Sequence, residues 1–89
     1  MFATFTDWEF VDMDAMVSTG NAMWPKVQAA GALNFKATAT GKNTARTIIV
    51  WPDAATAHAA IEGLRAAAMA MTDTKATATT AGDLMLDFS

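Results

Sequence analysis

The chain has 89 residues, 53% apolar and 17% charged, with a net charge of −3, which describes one folded domain over residues 1–89 rather than a disordered chain. The six basic residues are scattered singly along an acidic chain, so neither nucleic acid nor an anionic membrane surface is an expected partner. No cysteine is present, which removes thiolate catalysis, disulfides and sulfur-ligated metal sites.

Residues 1–11 carry Phe2, Trp8 and Phe10 on the same alternation as Thr4 and Thr6, with Phe5 on the other, which reads as a strand with one apolar side. Neither a basic leader nor a sustained apolar run is read here, so the expected location is the cytoplasm. Asp12 and Asp14 offer N-cap oxygens, and Met13, Met16, Val17, Gly20 and Met23 or Trp24 follow at helical spacing. Pro25 either kinks this first helix or ends it and opens a short second turn. Gly31 supplies a left-handed C-cap after KVQAA.

Leu33, Phe35, Ala37 and Ala39 then alternate with Asn34, Lys36, Thr38 and Thr40, the period of a half-buried strand. A hairpin at Gly41, Lys42 and Asn43 is expected to use positive φ at Gly or Asn. The returning strand, Thr44 to Trp51, has large apolar residues on both alternations: Ile48 and Val50 with Arg46 on one, Ile49 and Trp51 with Ala45 and Thr47 on the other. One helical layer covers only one face, so a second copy of the chain is expected to cover the other.

Pro52 and Asp53 stop that strand, and an Ala-rich helix follows with Ala54, Ala57, Ile61, Leu64, Ala68 and Met71 on one stripe. His58 and Arg65 fall on its flank, with Glu62 further toward solvent. Gly63 marks either close packing or a mild bend. After a turn at residues 72–75, Ala76 to Thr80 reads as a small-residue strand, Gly82 as a bulge or bend, and Leu84, Leu86 and Phe88 as one side of its continuation. The order strand, helix, strand, strand, helix, strand predicts a ferredoxin-like α+β fold, a four-stranded antiparallel sheet with two helices on one face.

Chemistry-bearing residues are few. His58 is the single histidine, the residue type that titrates near physiological pH, and on the helix flank it is a candidate base or hydrogen-bond donor; a boundary histidine paired with Glu62 is the competing reading. Arg65 lies two turns further along and could clamp a carboxylate, joined by Arg46 or Lys36 if their alternation points inward; snorkelling over apolar surface is the alternative. The TGKN stretch at Thr40 to Asn43 lacks the upstream glycine and the following helix of a phosphate loop. Asp12, Asp14 and Asp53 read as caps, and Asp83 and Asp87 as solvation of the last strand. No metal site or cofactor is expected. Trp8, Trp24 and Trp51 suit a core, an interface or a cleft wall, and the seven methionines suit an adaptable apolar pocket.

The element order, the AAGAL exit from the first helix, the TGKNTARTIIVWPD hairpin and the Ala-rich second helix together resemble the dimeric α+β barrel superfamily. Members are ferredoxin-like subunits whose sheets meet face to face; they include antibiotic-biosynthesis-type monooxygenases, haem-degrading enzymes and stress-responsive barrel proteins. The resemblance implies a cavity between helices and sheet, walled here by Trp8, Met16, Trp24, Arg46 or Trp51, and His58. The haem-degrading arrangement of His, Asn and Trp has no matching order in this chain.

Two functions follow as expectations. The first is a homodimeric small-molecule-binding or accessory protein taking an apolar or aromatic ligand. The second is a cofactor-independent monooxygenase or isomerase acting on an aromatic or polyketide-like substrate. The thin set of catalytic candidates favours the first.

Overall fold

The computed structural model describes residues 1–88. Six elements follow in the order β1 (Phe2–Phe10), α1 (Met13–Ala29), β2 (Asn34–Gly41), β3 (Thr44–Trp51), α2 (Ala54–Met71) and β4 (Thr74–Asp83). The strands form one antiparallel sheet in the order β2-β3-β1-β4, so each helix crosses over a strand that is inserted later or earlier in the chain. The fold is ferredoxin-like α+β. Among the described residues no helix is long and apolar enough to cross a membrane.

Both helices start on aspartate caps. Asp12 Oδ1 accepts from the backbone N–H of Asp14 at 3.0 Å, and Asp53 Oδ1 accepts from that of Thr56 at 2.8 Å. The Thr56 N–H holds the Asp53 carboxyl below the usual aspartate range. α1 runs through Pro25 as one helix, so the proline does not divide it. Its exit turns at Gly31, φ +108°, where an added Cβ would stand 2.8 Å from Thr56 Cγ2. The glycine is therefore required twice, for its backbone conformation and for the close approach of the α1 exit to the first turn of α2.

Register decides which side chains meet the helices. Phe2 pairs with Trp51, Thr4 with Ile49, Thr6 with Thr47 and Trp8 with Ala45, and all eight are buried. The helical layer answers with Met23 and Val27 from α1 and Ala57 and Ile61 from α2, which join Phe2, Ile49 and Trp51 in one core. That core fills the end of the layer where β1 begins and β3 finishes. Toward the other end the helix-facing positions become Thr6, Thr47, Ala45, Ala37 and Ala39, and the layer thins.

The opposite face carries Ala3, Phe5, Ile48 and Val50 at its centre, with Phe5 across from Ile48 and Ala3 across from Val50. Phe5, Ile48 and Val50 stay half-buried in the single chain. Two ion pairs border them: Arg46 Nε to Asp7 Oδ1 at 2.8 Å and Lys75 Nζ to Glu9 Oε2 at 3.4 Å. The Arg46 hydrogen bond holds the Asp7 carboxyl below the usual aspartate range, and Asp7 in turn raises the Arg46 guanidinium above its own.

Several sequence expectations are corrected. The hairpin turn is Lys42–Asn43 alone, and no residue there has positive φ. An extra residue in β2, Thr40, breaks the register between Ala39 and Gly41 and gives the turn its twist instead. Asn43 serves as a tether, its Nδ2 donating to Val11 O at 3.1 Å and its carbonyl accepting from Phe10 N at 3.0 Å. The β4 bulge is at Thr77, not Gly82; its hydroxyl donates to Asp7 O at 3.2 Å. Residues 84–88 do not continue the strand: Leu84 N bonds the carbonyl of Met1, and Met85, Leu86 and Phe88 stand exposed. On α2, Met71 is exposed and Arg65 takes a buried place beside the apolar stripe. A Cβ at Gly63 would meet nothing within 4 Å, so this glycine serves no close contact within the subunit.

Candidate functional site

The thin end of the layer holds a half-open cavity of about 680 Å³ between α1, α2 and the sheet. Its origin is the mismatch just described. Alanines at 37, 39, 45 and 68 and threonines at 6 and 47 line it, where larger side chains would have filled it. Met16, Met23, Trp24 and Val27 come from α1, and Ile61, Leu64 and Arg65 from α2. Met13 and Val17, also on its wall, are 37% and 55% exposed, and Ala37 and Ala39 on β2 are exposed too, so the mouth lies between α1 and the β2 edge. Trp24 and Phe35 stack at 6.3 Å with their planes 21° apart and form an aromatic wall.

Polar groups in this apolar space are organised by hydrogen bonds to threonine. Trp8 Nε1 donates to Thr47 Oγ1 at 2.9 Å, and Arg65 Nε donates to Thr6 Oγ1 at 3.0 Å. The same device recurs in the packed end, where Trp51 Nε1 donates to Thr4 Oγ1 at 3.0 Å. Among the described residues, each large N–H donor buried in the layer thus finds an acceptor on β1 or β3, which is how the sheet holds two indoles and a guanidinium without leaving a donor orphaned. Arg65 Nη1 also reaches Glu62 Oε1 at 2.8 Å at the surface. Its charge is neutralised there while the guanidinium stays in the wall.

The residues singled out from sequence separate into four places. Trp8, Met16, Trp24 and Arg65 meet around the cavity. Trp51 does not line it; it is fully buried in the packed core. Arg46 lies on the other face of the sheet, bound to Asp7, and Lys36 shares that face because it pairs with Ile48. Their alternation points outward, so neither reaches the cleft. His58 is exposed on α2 and rests edge-on against Phe2, ring centres 5.4 Å apart. It borders a second, shallow hollow of about 200 Å³ between α2 and β4, together with Thr4, Glu62, Arg65 and Thr79. Arg65 lies between the two hollows; His58 belongs to the shallow one alone.

Thr6 and Thr47 are the site residues that sequence reasoning passed over. Thr6 shares its alternation with Trp8, and Thr47 with Ile49 and Trp51; that was the available signal, since a polar residue on a buried alternation needs a reason to be there. Among the described residues, no group of three carboxylates or histidines stands together as a metal site. Compared with protein-family models and with curated proteins, the sequence matches none.

Proposed function

We propose that the chain is a homodimeric small-molecule-binding protein of the dimeric α+β barrel kind, taking an apolar, ring-containing ligand into the cavity between α1, α2 and the sheet. The observation that carries this reading is the cavity's wall. It has the size of a ligand site, an aromatic pair on one side and a mouth rimmed by exposed Met13 and Val17. Among the described residues its one charged lining residue is Arg65, and no carboxylate or histidine lines it to take a proton from a substrate. That lining supports binding over the oxygenase or isomerase reading, whose chemistry needs a base or an equivalent group against the substrate.

The dimer is supported by the other face of the sheet. An apolar centre of Ala3, Phe5, Ile48 and Val50 bordered by the Asp7–Arg46 and Glu9–Lys75 pairs has the layout of an interface core with a charged rim. A two-fold contact would set this patch against itself.

The ligand reading is tested with tetralin, a bicyclic hydrocarbon, titrated while following tryptophan fluorescence, since Trp8 and Trp24 both face the cavity. Gly20 lines the same space and an added Cβ there meets nothing within 4 Å, so Gly20→Leu fills the cavity without a clash at its root. Saturable binding that Gly20→Leu abolishes is expected. Binding that persists unchanged in that variant, or failure of both tetralin and its ketone α-tetralone to bind up to the solubility limit, would sink the reading.

A further inference from the structure

We propose that the ligand of this cavity carries a carbonyl-type acceptor oxygen on its ring framework, and that the hydroxyls of Thr6 and Thr47 hold that oxygen. This rests on the cavity being a binding site, as argued above, and adds the chemistry it selects.

Thr6 and Thr47 are direct partners across β1 and β3, so their side chains stand side by side on the helix-facing surface. Each oxygen already accepts an N–H, from Arg65 at 3.0 Å and from Trp8 at 2.9 Å. A hydroxyl offers two lone pairs and one proton; with an N–H aimed at each oxygen, the proton is the part still to be placed. Among the described residues neither proton reaches a protein acceptor. Both threonines line the cavity and both are nearly sealed from outside solvent, at 2% and 9% exposure. The floor of the site therefore presents two adjacent O–H donors to whatever occupies it.

The surroundings reinforce that polarity. Arg65, the one charge in the wall, donates into the Thr6 oxygen, which makes the Thr6 proton a stronger donor. Two hydroxyl donors, each backed by an N–H, favour the negative end of a carbonyl dipole and oppose an amine or ammonium. The rest of the wall is apolar or aromatic, with the Trp24–Phe35 stack able to lie along a ring. A ketone or quinone oxygen on a fused-ring body satisfies each part of this arrangement, whereas the bare hydrocarbon leaves two buried donors without an acceptor.

The test compares α-tetralone with tetralin, which share a bicyclic frame and differ by a carbonyl oxygen. Calorimetry on the intact chain should give the ketone about tenfold or more tighter binding. Thr6→Val and Thr47→Val should each erode that preference while leaving tetralin affinity in place, and Thr47→Ser should keep it. Should the valine variants fold poorly, the infrared C=O stretch of tetralone bound to the unaltered protein gives a direct reading: it should lie below its value in an alkane. Equal affinity for the two compounds, or a bound carbonyl stretch at its alkane position, overturns the donor pair while the binding reading stands. Failure of both compounds to bind overturns the two together.

Discussion

Trp8 on β1 and Thr47 on β3, 39 residues apart in the chain, meet in a buried hydrogen bond of 2.9 Å from indole to hydroxyl. Replacing Thr47 by Val keeps the shape and strands the indole N–H, at a cost of roughly 1–3 kcal/mol. The double variant Trp8→Phe with Thr47→Val removes both partners and should lose less than the sum of the single losses. Urea denaturation of the four proteins in the cycle reads the difference, and strict additivity would deny the bond any energetic role.

Acid should weaken the fold through two aspartates. The folded-state carboxyls of Asp7 and Asp53 are held below the ordinary value of 3.8, the first by Arg46 and the second by the Thr56 N–H. A depressed folded pKa means that the unfolded chain takes up protons first, so this stabilisation is full above the ordinary value and drains away as pH falls through the lower folded one. Urea midpoints should fall below about pH 4. Raised salt should shrink the Asp7 share, which is an exposed ion pair, more than the Asp53 share, which is a hydrogen bond to backbone. Arg46→Gln should flatten the first component only.

Two glycines should respond in opposite directions to alanine. Gly31→Ala forces a side chain into φ +108° and against Thr56, and a loss of about 1–3 kcal/mol is expected. Gly63→Ala, in the open middle of α2, should add up to about 1 kcal/mol through helix propensity. Thermal melts decide both. A destabilised Gly63→Ala would indicate that the outer side of α2 packs tightly on a neighbour.

Light scattering should give a particle of twice the 9.4 kDa chain mass. Phe5→Asp combined with Ile48→Asp places charge at the centre of the open sheet face and should shift the mass to that of one chain. A single-chain mass for the unaltered protein, or a dimer indifferent to these replacements, would remove the sheet-to-sheet arrangement.

His58→Ala should leave cavity binding unchanged, because the imidazole borders the shallow hollow beside β4 and not the larger cavity. Its loss removes only the edge contact with Phe2, and a stability change of no more than about 1 kcal/mol is expected. A marked fall in tetralin affinity would bring His58 back into the site.

Most of the architecture was legible because alternation and helical spacing are local properties. Ile48 and Val50 opposite Ile49 and Trp51 already marked β3 as apolar on both faces, and the Asp12 and Asp53 caps announced both helices. Arg46 could have been excluded from the cleft on the same grounds, since it shares its alternation with Ile48 and Val50 and not with Trp51. The cavity was harder to see. It depends on Thr6, Thr47, Ala37 and Ala45 coming to lie side by side, which is a matter of register between strands, and register was not fixed by any one segment. The Thr77 bulge likewise depends on the register between β4 and β1, and Leu84, Leu86 and Phe88 kept a strand-like pattern without joining the sheet.

The uneven filling of the helix–sheet layer has a consequence for how such a chain can change. Cohesion is concentrated where Phe2, Val27, Trp51 and Ile61 interlock, while the alanines at 37, 39, 45 and 68 border vacant space. Methyl groups added at those four positions would alter the outline of the hollow with little disturbance to the interlocked end. Descendants of this sequence could therefore exchange one guest for another by single small replacements, long before the scaffold itself came under strain.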